Sequence, residues 1–126
     1  MNRFDLSNRT AIVTGGAQGL GFGIAKRFIE SGAEVIIWDI DKELLKSAEK
    51  KLNNNKATFQ SVNVANFEDV KKNIDQITAE KKIDILINNA GVTGLTAKLW
   101  DYPIDEWHKV LNVNLNGTFY CCKAIV

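Results

Sequence analysis

The feature that most constrains the fold is a repeated alternation of short apolar runs with amphipathic helical segments. The apolar runs cover residues 11–14, 35–38, 57–62 and 83–87, and each is typical of a short strand. The intervening segments repeat their apolar residues at helical spacing. Strands that alternate with helices form right-handed β–α–β units and a parallel sheet. The sequence therefore predicts an α/β fold with about four parallel strands and flanking helices.

Local signals place the helices between these strands. A first helix is expected to end at Gly32, and a second covers residues 42–52. Asn66 is expected to be the N-cap of a third helix, and Pro103 suits the first turn of a last helix that continues from Ile104 onward. This order of elements is that of the first half of a Rossmann-type, doubly wound parallel sheet.

Length and composition predict one globular domain over residues 1–126. A chain of 126 residues is long enough for one domain and too short for two. The chain is 45% apolar and 25% charged, which is typical of a folded protein and not of a disordered one. The formal net charge is +1. A charge this small indicates neither a nucleic acid nor an anionic membrane surface as a partner.

Several other classes of function find no support in the sequence. No apolar stretch approaches the ~18–20 residues needed to span a bilayer, and no apolar leader precedes the first strand. The two cysteines, Cys121 and Cys122, are adjacent and predict neither a disulfide nor a metal clamp. His108 is the single histidine, which argues against a histidine-based metal site. We therefore expect a cytoplasmic protein without a metal site.

A glycine-rich loop, residues 14–21, lies between the first strand and the first helix. In that position glycines permit a tight turn and a close approach of the backbone to a pyrophosphate, which then lies on the helix N-terminus. Three residues separate Gly15 from Gly19, so the turn is longer than in the common G-x-G-x-x-G fingerprint. No Gly-Lys-Ser/Thr follows, which argues against a nucleoside-triphosphate loop. The alternative is a simple structural turn.

Asp39 ends the second strand, where a carboxylate accepts hydrogen bonds from the adenosine ribose. A carboxylate there also repels a 2′-phosphate, so it favours NAD over NADP. Ile40 stands where an arginine could have bound that phosphate, and Gln18 in the loop is neutral. The alternative is that Asp39 caps the following helix together with Asp41.

Three motifs in the order and at the spacing of a known family give a more specific indication. Residues 14–21 read TGGAQGLG, residues 88–91 read NNAG, and residues 113–117 read VNLNG. Over its whole length the chain resembles the N-terminal part of the classical short-chain dehydrogenases/reductases, whose glycine loop, NNAG motif and asparagine-bearing helix these segments match.

The resemblance implies a role for individual positions. Gly15, Gly19 and Gly21 would shape the pyrophosphate turn, with Gln18 and the backbone of Leu20 beside the phosphates. Asp39 and Ile40 would lie at the ribose. Asn63 and Val64 match a pair that is usually Asp-Val and contacts the adenine; the Asn63 amide oxygen can still accept a hydrogen bond there. Asn89, Ala90 and Gly91 would border the cofactor, whereas Asn88 would tie neighbouring backbone together inside the sheet.

Asn114 corresponds to the catalytic asparagine of the family, which supports a water-linked proton relay. Without the resemblance, Asn114 would be interpreted as a structural residue. The family's catalytic serine, and its tyrosine with a lysine four residues later, are expected beyond Val126. Tyr120 and Lys123 are only three apart, and Tyr102 has Glu106 four residues later, so neither tyrosine supplies that pair. The fourth strand would then form an open sheet edge.

The resemblance implies a parent enzyme that is an NAD-dependent oxidoreductase. It would move hydride between nicotinamide and a small alcohol or ketone, and it would form a homodimer or homotetramer through its last helix. The 126-residue chain alone is predicted to be inactive. The loop 93–102 would line the substrate entrance or form a plain surface loop. Two alternatives stay open, namely a non-catalytic dinucleotide-binding sensor module and an inactive fragment that only associates with its missing half.

Overall fold

The computed structural model describes residues 3–126. Its centre is a parallel four-stranded sheet in the order β3-β2-β1-β4. The strands are β1 (Thr10–Thr14), β2 (Glu34–Asp39), β3 (Ala57–Ser61) and β4 (Ile85–Ile87). The predicted α/β class, with four parallel strands and flanking helices, is confirmed. In the described part of the chain β4 pairs with β1 alone, so the expected sheet edge is present.

Within residues 3–126, five α-helices accompany the sheet. They are α1 (Gly19–Glu30), α2 (Lys42–Leu52), α3 (Phe67–Thr78), α4 (Ile104–Leu111) and α5 (Gly117–Ile125). A short 3-10 helix covers Leu99–Asp101, and a π-helical turn over Asn112–Asn116 joins α4 to α5. None of the helices in residues 3–126 has the length and hydropathy that a membrane span requires.

The sheet is covered on both faces, which explains why its strands are nearly continuous apolar runs. Successive side chains of a strand point to opposite faces. Ala11 and Val13 accordingly pack in one buried cluster with residues of α1 and α2. Ile12 packs in the other, with Trp38 and residues of α3 and α5. The two clusters hold the carboxyl ends of the strands in fixed positions.

The helix ends follow from local capping. Asp41 accepts hydrogen bonds from the backbone N–H groups of Glu43 and Leu44, at 3.0 and 3.1 Å, and caps α2. Asn66 accepts from the N–H of Asp69 at 3.2 Å, so the predicted cap of α3 is confirmed. At the first turn of α1, by contrast, the side chain of Gln18 makes no capping hydrogen bond.

The predicted helix from Ile104 onward is confirmed, but it contains a π-turn that the apolar pattern did not indicate. The N–H of Gly117 donates to the carbonyl of Asn112, five residues earlier. The π-turn spans only Asn112–Asn116 and is defined by backbone hydrogen bonds, so the spacing of apolar positions over a whole helix does not reveal it. A Cβ at Gly117 would lie 2.9 Å from Val64 Cγ2, so glycine permits close packing of this turn on the segment after β3.

Candidate functional site

The strand order creates a crevice at one point of the sheet. From β1 the chain proceeds outward through β2 to β3, and it then returns to place β4 on the other side of β1. In open parallel sheets, ligands bind at the carboxyl ends of the strands where the order reverses in this way. A cleft of about 740 Å³ lies at this position in the structure.

Most of the residues predicted from the sequence line this cleft. They are Gly15, Gln18, Gly19, Asp39, Ile40, Asn63, Val64, Asn89, Ala90 and Gly91. Three predicted residues, Leu20, Gly21 and Asn114, do not line it. The fold therefore brings together segments from the ends of all four strands.

The glycine loop is shaped by close backbone approaches. Gly15 has a φ of +61°, and a Cβ there would lie 2.9 Å from the Cα of Ala90. Gly21 is buried behind the loop, where a Cβ would collide with the carbonyl of Gly15 and the side chain of Asn89. Gly21 thus lets α1 pack against the loop and does not itself reach the cleft. Leu20 is 75% exposed and does not line the cleft, so its predicted role, in which its backbone faces the phosphates, stays a prediction.

The N-terminus of α1 lies at the cleft, because Gln18 and Gly19 are among the lining residues. The first N–H groups of a helix have no partner within it, and they carry partial positive charge. Since Gln18 does not cap them with its side chain, this turn is suited to an anion such as a pyrophosphate.

Asp39 is held by two backbone N–H groups. Its Oδ2 accepts from Ala17 at 3.3 Å and its Oδ1 accepts from Asp41 at 3.0 Å. The carboxylate is therefore fixed between the glycine loop and the start of α2. Of the alternative that Asp39 and Asp41 together cap α2, the part concerning Asp41 is confirmed and the part concerning Asp39 is wrong, because Asp41 makes both capping hydrogen bonds.

Asn63 adopts a local turn at the end of β3. Its Oδ1 accepts from the N–H of Ala65 at 3.0 Å, and its own N–H donates to Asp69 Oδ2 at 2.8 Å. The oxygen expected to contact an adenine thus already has one backbone partner. Its second lone pair leaves room for one further hydrogen bond.

Thr14 and Asn89 tie the ends of β1 and β4 together. The Thr14 hydroxyl oxygen accepts from the N–H groups of Asn89 and Ala90, at 3.0 and 2.9 Å. Asn89 Nδ2 donates to the carbonyl of Gly15 at 3.0 Å. The expectation that Asn88 does this work is wrong, because its exposed side chain instead reaches Cys122 Sγ at 3.5 Å. Thr14 was not among the residues predicted from the sequence, although its position directly before the first glycine of the loop was an available signal.

Asn114 lies in the π-turn and bonds both backbone polar groups of Val92, a residue of the loop after β4. Its Oδ1 accepts from the N–H of Val92 and its Nδ2 donates to the carbonyl of Val92, both at 2.8 Å. The backbone carbonyl of Asn114 accepts from the Thr118 hydroxyl at 3.2 Å. The side chain therefore positions the loop at the rim of the cleft, which agrees with the interpretation of Asn114 as a structural residue.

Other lining residues were not found from the sequence. Most are apolar: Trp38, Leu44, Val62, Val92 and Val113. Trp38 is fully buried beneath the cleft, and its Nε1–H donates to Gln60 Oε1 at 2.9 Å. Asp41 and Lys109 add charge. No spacing in the sequence connects Lys109 of α4 with Asp39 of β2, because only the fold brings them to one cleft.

The groups with shifted pKa values lie outside the cleft. Asp84 stands at the opposite end of the sheet, where the backbone N–H of Thr10 lowers its pKa, burial opposes this, and Arg9 lowers it further. Burial, reinforced by the adjacent Cys122, raises the pKa of the Cys121 thiol to about 11. These shifts reflect packing and hydrogen bonding in the scaffold.

In physical terms the cleft combines three features. It has an apolar wall, a helix N-terminus free to bind an anion, and a fixed carboxylate. An aromatic base, a pyrophosphate and a ribose with free hydroxyl groups need these same three environments. The arrangement is thus complementary to an adenine dinucleotide.

Comparison with known proteins agrees with this geometry. The family model described as short chain dehydrogenase matches residues 9–126. The chain belongs to the short-chain dehydrogenase family. The resemblance drawn from the three motifs is therefore confirmed.

Individual members of the short-chain dehydrogenase family match nearly the whole chain. A 2-dehydro-3-deoxy-L-rhamnonate dehydrogenase (NAD(+)) of Sphingomonas sp. is 37% identical over 121 residues, which cover 95% of this chain and 48% of that protein. A 3-oxoacyl-(acyl-carrier-protein) reductase of Chlamydia muridarum is 40% identical over 125 residues, which cover 96% of this chain and 50% of that protein. The chain thus spans about half the length of these curated relatives.

Solved structures of this family have the same fold. The 3-ketoacyl-(acyl-carrier-protein) reductase of Brucella melitensis, in complex with NADH, superposes with a TM-score of 0.89 at 27% identity. That match covers 97% of this chain and 50% of the reductase. Short-chain dehydrogenases related to this chain are oxidoreductases that bind a nicotinamide dinucleotide.

Proposed function

We propose that this chain is the nucleotide-binding part of an NAD-dependent oxidoreductase that transfers hydride between nicotinamide and an alcohol or ketone. The observation that carries the proposal is the cleft at the reversal of the strand order, with the Asp39 carboxylate fixed in its wall by two backbone N–H groups. When bound, the dinucleotide supplies the hydride chemistry, and the protein supplies its position and the proton transfer.

The residues present fit such a dinucleotide. Gly15 lines the cleft, and a Cβ there would lie 2.9 Å from the Cα of Ala90, while a Cβ at Gly21 would collide with the Gly15 carbonyl, so both glycines permit the close packing that shapes the loop. In this proposal the loop from Gly15 to Gly21, with Gln18, Gly19 and Leu20, and the N-terminus of α1 hold the pyrophosphate. Asp39 and Ile40 border the ribose, Asn63 and Val64 border the adenine, and residues 89–91 border the nicotinamide half.

Asp39 supports the choice of NAD over NADP. A 2′-phosphate would bring about two negative charges next to a carboxylate whose position is fixed. At 4 Å, two like unit charges repel each other by about 1 kcal/mol in water and about 4 kcal/mol near a protein surface. A preference for NAD of at least about tenfold follows from this repulsion.

The catalytic proposal assigns different parts of the reaction to different parts of the protein. Asn114 anchors the peptide of Val92 and so holds the loop at the rim of the cleft. We propose that it serves the proton relay through this positioning. The family's serine, tyrosine and lysine would come from the part of the parent protein that corresponds to the second half of its relatives. The 126-residue chain alone would then bind cofactor without turning over substrate.

The proposed substrate is a small molecule with a secondary alcohol or a ketone. The two curated relatives are named for a deoxy sugar acid and for a 3-oxoacyl group, and each of these substrates carries such a carbon. We further propose a homodimeric or homotetrameric parent protein in the cytoplasm. The exposed apolar residues of the last helices, among them Trp107, Leu115 and Phe119, support association.

A second candidate is a dinucleotide-binding module without catalysis. It is favoured by the hydrogen bonds of Asn114, whose side-chain oxygen and nitrogen each bond the backbone of Val92. Such a module would bind NAD(H) as well as an enzyme does. It would lack the tyrosine and the lysine four residues later in its complete sequence.

The test is a pair of calorimetric titrations of the chain with NAD⁺ and with NADP⁺. We expect NAD⁺ to bind at least about tenfold more tightly. Asp39→Asn, which keeps an oxygen acceptor for the loop, should reduce that preference to near unity. The matched control is Asp41→Asn, which removes a charge from the same cleft and retains a good N-cap, and which should leave the preference unchanged. Equal binding of the two dinucleotides by the unmodified chain contradicts the cofactor proposal.

A further inference from the structure

Lys109 contributes to two neighbouring cavities. It lines the cleft, and it also lines a second cavity of about 700 Å³, here called the side pocket, which is formed by residues 91–95 with Glu106, Lys109 and Val110. Gly91, Val92 and Lys109 belong to both walls. Lys109 therefore stands at the boundary between the two cavities.

The side chain of Lys109 does not pair with the acids next to it on α4. Asp105 and Glu106 precede it by four and three residues, the spacings at which helical ion pairs form. Among the ion pairs of residues 3–126 none involves Lys109, so both carboxylates lie more than 4.0 Å from its ammonium group. The ammonium group is therefore available to a ligand.

The charge on the cleft walls is unbalanced without Lys109. Asp39 and Asp41 are the acidic residues that line the cleft, and within residues 3–126 Lys109 is the one Lys or Arg that does so. An anionic ligand in a cleft lined by two carboxylates gains from a cation that lines the same cleft. The helix N-terminus beside the glycine loop supplies only partial charge.

The wall that Lys109 shares with the side pocket is held in place. Asn114 bonds both polar groups of Val92 at 2.8 Å. Gly94, with a φ of +72°, packs so closely that a Cβ would lie 2.8 Å from Tyr102 Oη and 2.5 Å from Val110 Cγ2. A pocket whose backbone is anchored at two points loses little conformational entropy when a ligand binds.

We propose that Lys109 binds an anionic oxygen group at the wall between the cleft and the side pocket. Two sources carry this chemistry, namely a phosphate of the dinucleotide in the cleft and the carboxylate of a small oxo or hydroxy acid in the side pocket. In the second case Glu106, which lines the same pocket, accepts hydrogen bonds from hydroxyl groups of the acid. The inference rests on the proposed function, since it names a charge requirement of the same site.

The experiment compares the chain with its Lys109→Gln variant by calorimetry at low and moderate salt. NAD⁺ is titrated first. Gluconate and the uncharged hexitol sorbitol are then titrated in the presence of saturating NAD⁺, so that the two polyols differ by one carboxylate. Lys72→Gln is the matched control, because Lys72 is an exposed helical lysine of α3 that lines neither cavity. Lys109→Arg, which keeps the charge, should bind as the unmodified chain does.

We expect Lys109→Gln to lower the affinity of the chain for one of the two anionic ligands, NAD⁺ or gluconate, by about two- to tenfold and to reduce the salt dependence of that binding. Weaker NAD⁺ binding identifies the phosphate as the source, and weaker gluconate binding with unchanged NAD⁺ binding identifies the carboxylate. If both affinities equal those of the Lys72→Gln control, the inference is overturned while the cofactor proposal stands. If the unmodified chain binds no NAD⁺, the proposed function itself fails.

Discussion

Replacing Thr14 with valine would remove one hydroxyl group from the junction between β1 and β4. That hydroxyl oxygen accepts hydrogen bonds from the N–H groups of Asn89 and Ala90, and Thr14 is only 2% exposed. Valine has nearly the same volume, so the change creates no cavity. It leaves the partly buried N–H of Ala90 without an acceptor, whereas the N–H of Asn89 keeps a second acceptor, the backbone carbonyl of Ile87 at 3.1 Å. A donor left unsatisfied in this way costs about 1–3 kcal/mol, so we expect the free energy of unfolding to fall by about 1–3 kcal/mol.

The assay is equilibrium unfolding in urea, followed by tryptophan fluorescence, since Trp38 is fully buried in the native state. The control is Thr58→Val on the edge strand β3, where the threonine is exposed and the change should stay within about 0.5 kcal/mol. The Thr14→Val variant should also bind NAD⁺ more weakly, because residues 89–91 would lose the hydrogen bonds that Asn89 and Ala90 donate to the Thr14 hydroxyl. A loss below about 1 kcal/mol for Thr14→Val would refute the argument that this hydroxyl holds the two strand ends together.

Two further predictions concern the glycine loop and the buried thiol. Gly21→Ala should destabilise the chain by about 1–3 kcal/mol and weaken NAD⁺ binding, because the added Cβ would collide with the Gly15 carbonyl. The control is Gly23→Ala, where the added Cβ lies in open space on the same helix and should stabilise the chain by about 0.5–1 kcal/mol. Equal changes in the free energy of urea unfolding for the two variants would contradict this packing argument. Burial raises the pKa of Cys121 to about 11, so its contribution to stability is complete below the pKa of the unfolded thiol and is lost as pH rises through about 11. Cys121→Ala should therefore reduce the loss of unfolding free energy between neutral and alkaline pH, and an unchanged pH dependence would contradict this. A thiol reagent should label the exposed Cys122 but not the buried Cys121 in the native chain, and equal labelling of both would show that Cys121 is not protected.

Much of the fold could be predicted because it follows from short-range patterns. The apolar runs of residues 11–14 and 35–38 lie within the observed strands, and residues 42–52 form the predicted helix. Asn66 caps α3 as expected, since a cap acts within three residues of its own position. The position of the glycine loop between a strand and a helix could likewise be predicted from the residues directly before and after it. These interactions join near neighbours in the chain, so their signal is present in the sequence.

The roles of neighbouring polar residues could not be separated in the same way. Asn88 and Asn89 are adjacent and chemically identical, yet Asn89 bonds Gly15 and Asn88 points to Cys122. Asp39 and Asp41 likewise divide the tasks of bracing the loop and capping α2. Which of two similar side chains meets a given partner depends on the direction of the backbone at the end of a strand, and composition does not encode that direction.

Four features could be inferred from the sequence: the α/β class, the order of the elements, the family and most of the residues that line the cleft. Three others became apparent only in the folded chain: Thr14 joins two strands, a π-turn places Asn114 against Val92, and Lys109 shares a cavity with Asp39. The two groups differ in how far apart along the chain the interacting residues lie. Helical periodicity and capping act between residues a few positions apart. The residues that line the cleft are scattered along the chain from Gly15 to Val113, and they come close together only when the strands of the parallel sheet have paired and the helices have packed on it.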